Sequence, residues 1–518
     1  MPGAVNVRGP ARYGLAAGIV VAVALALYVP TLLPDVGTWD TAEFQAIGPV
    51  LGIAHPTGYP SYTLLAWLAS VVLQPFGNEA YRADLLSALL VAGAAGLLAI
   101  RTVQATARWP LGVLAGVAFA VTPIAWRLST RADAHALHAF LAALILVLLA
   151  AWQQRAQDGD RTADRWLLAT AVAYGVALGN HALTLLLAPG MAAYVLLVSP
   201  RILRRRWRLV LACLATAVMT SAALYAYLPL RSLADPPLDY ADPETWRAFW
   251  YLVLGQQFEG SFGGLPPLAD AVAGAWDELV RDYGGLAILV PAGVILGAIR
   301  HPRLVVLTVL WFAATWLFAL AYANAVIERY YVVPGLVAAL WLALAVDVVW
   351  DVLRDLIRSP TARLGPTEGP AREGAAGLIP ALLVVALLAT ASASVPERRS
   401  HVDASDETFG RDWLEASLAA LEPDAVVVSW WSFSTPLWYG RWVEGRREDI
   451  VIVDDRDVID EGFGNAEAAI DHYLDERPVY IIRREQDLPA LARRYRLERV
   501  AQVPSPGDMY RVLSRVAD

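Results

Sequence analysis

The chain contains no lysine: all 41 of its basic residues are arginine. That absence excludes a P-loop lysine, a Schiff-base lysine and a lysine general base. Its single cysteine, Cys213, excludes an intramolecular disulfide and a cysteine-based zinc site. Cys213 lies in an apolar run and reads as packing. No His-Glu-x-x-His or Gly-x-Ser-x-Gly motif occurs, and no basic patch points to nucleic acid. Charge itself is scarce. Only 17% of the 518 residues are charged, against 57% hydrophobic. That balance does not suit one soluble globule, and several apolar runs approach membrane-spanning length.

Apolar spans are read near 13–33, 83–100, 109–127, 135–152, 166–180, 182–198, 209–228, 285–300, 304–322, 331–350 and 376–394. The first lacks a small-residue cleavage site and is expected to be retained as a helix. A weaker run, 61–76, ends at Pro75 and reads as an interfacial helix. About eleven spans put the two termini on opposite sides. With the N-terminus cytoplasmic, the densest arginine group (Arg201, Arg204, Arg205, Arg206, Arg208) and most other loop arginines fall inside. The loops 34–82 and 229–284 and the C-terminal region then lie outside. A Pro/Gly-rich cytoplasmic loop is expected at 359–375.

Charge divides the chain. Residues 397–518 carry 25 acidic and 16 arginine side chains, net −9; the remainder carries 24 and 25, net +1. A membrane domain, 1–396, is therefore expected to precede a soluble acidic domain, 397–518. In the latter, "DAVVVSW", "EDIVIVD", "RPVYIIR" and "LERVAQV" read as short strands alternating with helices, so a small α/β domain is expected.

The polar residues gather at one end of the predicted spans. "GTWDTAEFQAIGPVLGIAHPTGYPSY" follows the first span. Asp40 and Glu43 fit a capping box, with Trp39 and Phe44 as a hydrophobic staple. They equally fit a carboxylate that faces a cavity and takes a proton from a hydroxyl. In the turn after them, Pro56, Gly58 and Pro60 explain an elbow, whereas His55 and Tyr59 suit hydrogen bonding to a sugar or phosphate. Asp133 and His135, Asn180 and His181, Arg231, and Glu328, Arg329 and Tyr330 fall at the same membrane face. Ionisable groups gathered on one side of a bilayer mark a candidate site. Arg231 and Arg329 could pair with a lipid phosphate, or with nearby carboxylates. Asp40, Glu43, Asp133 and His135 are acceptable ligands for a divalent cation, although their spacing does not demand one. Asp455-Arg456-Asp457 imitates the Asp-x-Asp of nucleotide-sugar enzymes and is set aside, because no nucleotide sugar is expected outside the membrane.

These residues carry a resemblance. "WDTAEFQAIGPVLGIAHPTGYPSYTLL", "RADAHALHAF", "GNHALTLLLAPG", "YLPLRSLADPPLDYADPETWRAFW" and "LWYGRWVEGRREDIVIVD" resemble the bacterial and archaeal family related to the animal transmembrane protein O-mannosyltransferase. More distantly the chain is similar to the GT-C class of lipid-sugar-dependent glycosyltransferases. The resemblance implies a mainly α, polytopic helical bundle with a small extracytoplasmic α/β domain. It also implies an acidic catalytic residue in the first external loop, Asp40 with Glu43 as second candidate. Asp133 matches a second acid used by some members, although Arg-Ala-Asp-Ala-His departs from the pattern of Glu followed by an aromatic.

The resulting expectation is a multi-pass cell-membrane enzyme. It would move a sugar, with mannose the leading candidate, from a polyprenyl- or dolichyl-phosphate donor to a protein or glycan hydroxyl on the outer face. A lipid-linked glycan transporter and a non-catalytic surface-assembly scaffold are the alternatives.

Overall fold

Long uncharged stretches dictate most of the architecture, because a chain crossing a bilayer must satisfy its backbone hydrogen bonds internally. In the computed structural model, which describes residues 9, 11–323, 327–358 and 370–516, these stretches are helices. Seven open the chain: α1 Ala11–Tyr28, α2 Trp39–Val50, α3 Pro60–Val72, α4 Glu79–Thr106, α5 Trp109–Ala120, α6 Pro123–Ser129 and α7 Ala134–Gln157. Among the described residues, eight helical stretches are long and apolar enough to cross a membrane. They are Ala11–Thr31, Glu79–Thr106, Ala134–Gln157, Trp207–Ser232, Leu268–Arg300, Pro302–Ala321, Ile327–Ile357 and Gly377–Val402.

The remaining three of the eleven expected spans differ. α5 and α6 together form a pair bent by 71°. The bend falls at Pro123, which has no N–H to continue the ladder, and the Thr122 side chain caps the new helix by accepting from Ala125 N. The spans read at 166–180 and 182–198 fall on the shorter helix Ala163–Leu178 and the short apolar stretch Ala182–Val198. The stretch read as interfacial, 61–76, is α3. Its 13 residues extend about 20 Å, less than a hydrocarbon core. Of the loop expected at 359–375, residues 359–369 lie outside the described residues, and the chain is helical again from Pro370.

Small residues let the bundle close. A Cβ placed on Gly116 of α5 would lie 2.7 Å from Val20 of α1 and 2.9 Å from the Ala95 carbonyl of α4. Only glycine permits this three-helix approach. At the bundle's opposite end from the polar loops, Arg300 binds Asp347 (3.1 Å) and Asp351 (2.7 Å), and Arg108 pairs with the same two carboxylates.

The C-terminal region folds as expected around a sheet, with one more strand than the sequence reading named. Strands β1 Val426–Val428, β2 Val451–Val453, β3 Val479–Ile482, β4 Tyr495–Arg499 and β5 Met509–Arg515 assemble in the order β2-β1-β3-β5-β4. β1 pairs in parallel with β2 and β3; β5 runs antiparallel between β3 and β4. The all-valine β1 sits at the buried parallel centre, as a strand covered on both faces must. β5 escaped the sequence reading because "MYRVLSR" is neither a continuous apolar run nor a strict alternation.

This region does not stand apart from the bundle. Trp413, Leu414, Phe433, Leu437 and Tyr439 belong to the same buried cluster as Phe44 and Ile47 of α2. Gly410 approaches so closely that an added Cβ would lie 2.2 Å from the Val36 carbonyl. The docking brings the helix Trp431–Trp438 against α2.

Candidate active site at the N-terminal end of α2

The capping box expected at Asp40 and Glu43 is not present. Helix α2 starts two residues earlier, with Thr38 as its N-cap, and that cap makes no side-chain hydrogen bond. Asp40 therefore sits inside the first turn, where the helix dipole stabilises an anion. Its carboxylate is turned outward to other elements. Oδ2 accepts from Arg329 Nη2 at 2.7 Å, and Oδ1 accepts from the Trp431 indole N–H at 3.2 Å. Trp39 is not a staple either. Its ring is half exposed and meets Trp430 edge-on at 5.5 Å. Trp39 (φ 56) and Tyr59 (φ 45) both hold left-handed backbone with bulky side chains, a strain that concentrates at functional sites.

Glu43 lies one helical turn on and is buried. It accepts from the His55 backbone N–H at 2.8 Å and shares a short contact with His55 Nδ1. Tyr59 donates its only hydroxyl proton to the Pro56 carbonyl at 3.0 Å, so its oxygen accepts from His55 Nε2 at 3.2 Å. The imidazole is thus held at both nitrogens. Burial pushes the His55 pKa down, but the facing Glu43 carboxylate outweighs it and holds the ring above its ordinary value. Burial raises Glu43. Asp40 goes the other way. Burial raises it, yet the charges of His55 and Arg329 and the bonds from Arg329 and Trp431 prevail, and its carboxyl lies below the usual range.

Arg329 connects this pair to a third acid. Its Nη1 lies 3.5 Å from Asp133 Oδ2, so one guanidinium bridges Asp40 and Asp133, while its Nε has no partner among the described residues. Asp133 is also the N-cap of α7, accepting from His135 N at 2.7 Å and from His135 Nδ1 at 2.8 Å. Burial raises it, but His135 and Arg329 together bring it down to about 2. The rings of Tyr59, His135, His181 and Tyr330 pack beside these acids at centroid separations of 4.8–6.1 Å. His135 Nε2 is buried without a partner. Asn180 donates to the Ala134 carbonyl at 3.0 Å, and His181 Nδ1 accepts from Leu183 N at 3.1 Å.

The structure thus gathers Asp40, Glu43, His55, Tyr59, Asp133, His135, Asn180, His181, Arg329 and Tyr330. It leaves two residues out. Glu328 faces outward and pairs with Arg127 at 3.3 Å. Arg231 donates to the carbonyls of Leu51 (2.8 Å) and Val50 (3.3 Å), at the other end of α2 from Asp40, about 16 Å along the axis. There it satisfies helix-end carbonyls rather than a phosphate or a carboxylate. Trp431 was not singled out by the sequence reading, because nothing local marks one tryptophan in an aromatic run as the partner of an aspartate 391 positions away.

The place between Asp40 and Asp133 is filled by the Arg329 guanidinium. Among the described residues, no group of three or more His, Cys, Asp or Glu side chains could hold a metal ion.

Residues 40–202 match the model of the protein O-mannosyl-transferase TMEM260 N-terminal domain. The matched stretch holds eight α-helices, from α2 to Ala188–Val198, and every gathered site residue except Arg329 and Tyr330. The chain is 31% identical over 254 residues to protein O-mannosyl-transferase TMEM260 of Mus musculus, a match that covers 46% of this chain and 34% of that protein. It therefore spans about a third of its relative's length. The fold extends further than the sequence match. ArnT from Cupriavidus metallidurans, solved bound to undecaprenyl phosphate, superposes with a TM-score of 0.57 at 14% identity, covering 96% of this chain and 97% of ArnT. The oligosaccharyltransferase AglB from Archaeoglobus fulgidus, in complex with an inhibitory peptide and a dolichol-phosphate, gives 0.54 at 13%, covering 96% and 74%. The fold is shared with ArnT and AglB along almost the whole chain.

Proposed function

We propose that the chain is an integral-membrane glycosyltransferase. Its donor is a polyprenyl- or dolichyl-phosphate sugar, with mannose the first to test, and its acceptor is a hydroxyl on a protein or glycan. The observation that carries this reading is the state of Asp40. It is an ionised carboxylate, 24% exposed where Glu43 is 2% exposed, fixed by two donors from distant parts of the chain. Such a group is reachable, oriented and ready to accept a proton.

In the proposed reaction the acceptor oxygen attacks the anomeric carbon as its proton passes to Asp40. The bond from that carbon to the phosphate oxygen breaks with inversion, and the prenyl phosphate leaves with the electron pair. Arg329 Nε and His135 Nε2, two buried site nitrogens without partners among the described residues, would meet the developing phosphate charge. Glu43 holds His55 and so fixes the floor beneath Asp40. The lipid carries the activation, which accounts for the absence of any nucleotide-binding motif. The relative's name and the lipid phosphates bound by ArnT and AglB support the donor class. The arginine asymmetry of the loops supports a cytoplasmic N-terminus and an outer-face site.

The test is sugar transfer from a synthetic prenyl-phosphate mannose by the purified full chain and by Asp40→Asn. Transfer by the wild type, lost in a folded D40N protein, is the expected result. Movement of prenyl phosphate across vesicles with no transfer to any acceptor would overturn it.

A further inference from the structure

Next to Glu43, away from Arg329, a cavity of about 40 Å³ opens between the bundle and the C-terminal region. Glu43, Asp239, Tyr240, Trp438, Trp442, Asp454, Arg456 and Asp457 give it its chemistry. The carboxylates of Asp239, Asp454 and Asp457 come from two separate parts of the chain, and none has a cationic partner among the described residues. The one guanidinium present is already used: Arg456 binds Asp460 at 2.6 Å and lies over the rings of Tyr240 and Tyr251. Two further atoms are unmatched. The indole N–H of Trp438, a side chain only 6% exposed, has no acceptor, and neither does Asp239 Oδ1 have a donor. Buried polar atoms ordinarily find partners, so this wall is one partner short.

Size narrows the occupant. A cavity this small takes about three water-sized groups, not a hexose ring. Carboxylates without counter-ions call for a cationic head, the aromatic walls favour the same charge, and the free indole N–H calls for a carbonyl or hydroxyl oxygen. Position narrows it further. Glu43 is one helical turn from Asp40, and the Trp431 ring that touches Asp40 also meets Tyr240 (5.6 Å) and Trp438 (5.3 Å). A group seated here is adjacent to the hydroxyl that Asp40 would deprotonate.

We propose that this cavity is an acceptor subsite for a cationic group, an ammonium or guanidinium, flanking the hydroxyl to be glycosylated. The proposal rests on the glycosyltransferase reading for its biological meaning but not for its test. Two sources share the chemistry: a lysine or arginine next to serine or threonine, and an amino sugar in a glycan.

The experiment uses the full chain in detergent and two matched probe pairs. One is Ala-Lys-Ser-Ala amide against its norleucine counterpart; the other is a glucosamine oligomer against its N-acetylated form. Binding is read by calorimetry and, where transfer occurs, by KM. The cationic member of at least one pair should bind about tenfold tighter than its neutral partner. Which pair shows it names the source. In Asp454→Asn and Asp239→Asn that ratio should fall toward one. Asparagine keeps the oxygen that accepts from Arg456 N, Asp457 N and Ser232, so both variants retain the local turns. Equal affinity for cationic and neutral members of both pairs overturns the proposal, as does a preference that survives both substitutions. A charge preference in binding with no transfer to any acceptor upholds the subsite while refuting the glycosyltransferase reading.

Discussion

Replacing Trp431 by phenylalanine removes one N–H and leaves most of the ring. The contacts to His55 (5.5 Å), Tyr240 and Trp438 depend on the aromatic face and edge, which phenylalanine largely supplies. What disappears is the 3.2 Å bond to Asp40 Oδ1. Hydrogen bonds to charged groups contribute about 1.5–3 kcal/mol, and this one is long for its kind, so the lower figure applies. About 1.5 kcal/mol corresponds to roughly a tenfold loss of rate if the bond orients the base in the transition state. The same bond helps hold the Asp40 carboxyl low, so its removal should move the acid limb of the rate profile to higher pH. The assay is steady-state transfer from pH 4 to 8 for wild type, W431F, D40N and the double variant, with melting temperatures recorded alongside. The expected pattern is a kcat effect with KM nearly constant, a shifted acid limb, and little further loss when W431F is added to D40N. An unmoved acid limb, or losses that simply multiply, would refute the idea that Trp431 acts through Asp40.

Three further outcomes follow from the same geometry. Asp133→Asn keeps the helix cap but loses the charge; with the carboxyl held at about 2, it should cost about 2 kcal/mol at neutral pH. Because that carboxyl is depressed, the melting gap to wild type should be present above pH 4 and close as pH falls through about 2. Glu43→Gln removes the group that raises His55; that stabilisation is present below the ordinary histidine value and lost as pH rises through the raised one. The melting difference should therefore be widest near pH 6 and narrow in alkali. Gly410→Ala forces a Cβ against the Val36 carbonyl, so the C-terminal region must shift. Transfer should fall through misplacement of Trp431, and limited proteolysis should cut the region faster than in wild type.

The sequence made the membrane body legible because hydropathy over eighteen or more residues has few other physical causes. It was less exact where length, not composition, decides, as at Ala163–Leu178 and at the Pro123 bend. Much of the site was legible too, since polar groups at span ends are few: Asp40, His55, Asp133 and Arg329 all stood out. Their connections did not. Asp40-x-x-Glu43 has the local signature of a capping box, and only the positions of Arg329 and Trp431 show that the two carboxylates turn to different partners. Arg231 looked as available as Arg329, but a guanidinium beside a helix C-terminus finds carbonyls first. The Asp455-Arg456-Asp457 stretch was set aside for lack of a nucleotide; the place of Arg456 and Asp457 beside Glu43 depends on docking that no local pattern encodes.

The bond between Asp40 and Trp431 also sets a clock. The two residues are 391 positions apart, and chains grow at about 5–20 residues per second, so the tryptophan is made roughly 20 to 80 seconds after the aspartate. For the first 289 positions of that interval Asp40 lacks both of its donors, and after Arg329 is made it still lacks the indole. A nascent chain halted before β1 would insert its first helices yet hold an unfinished base, so the finished site belongs only to molecules whose last domain has already docked.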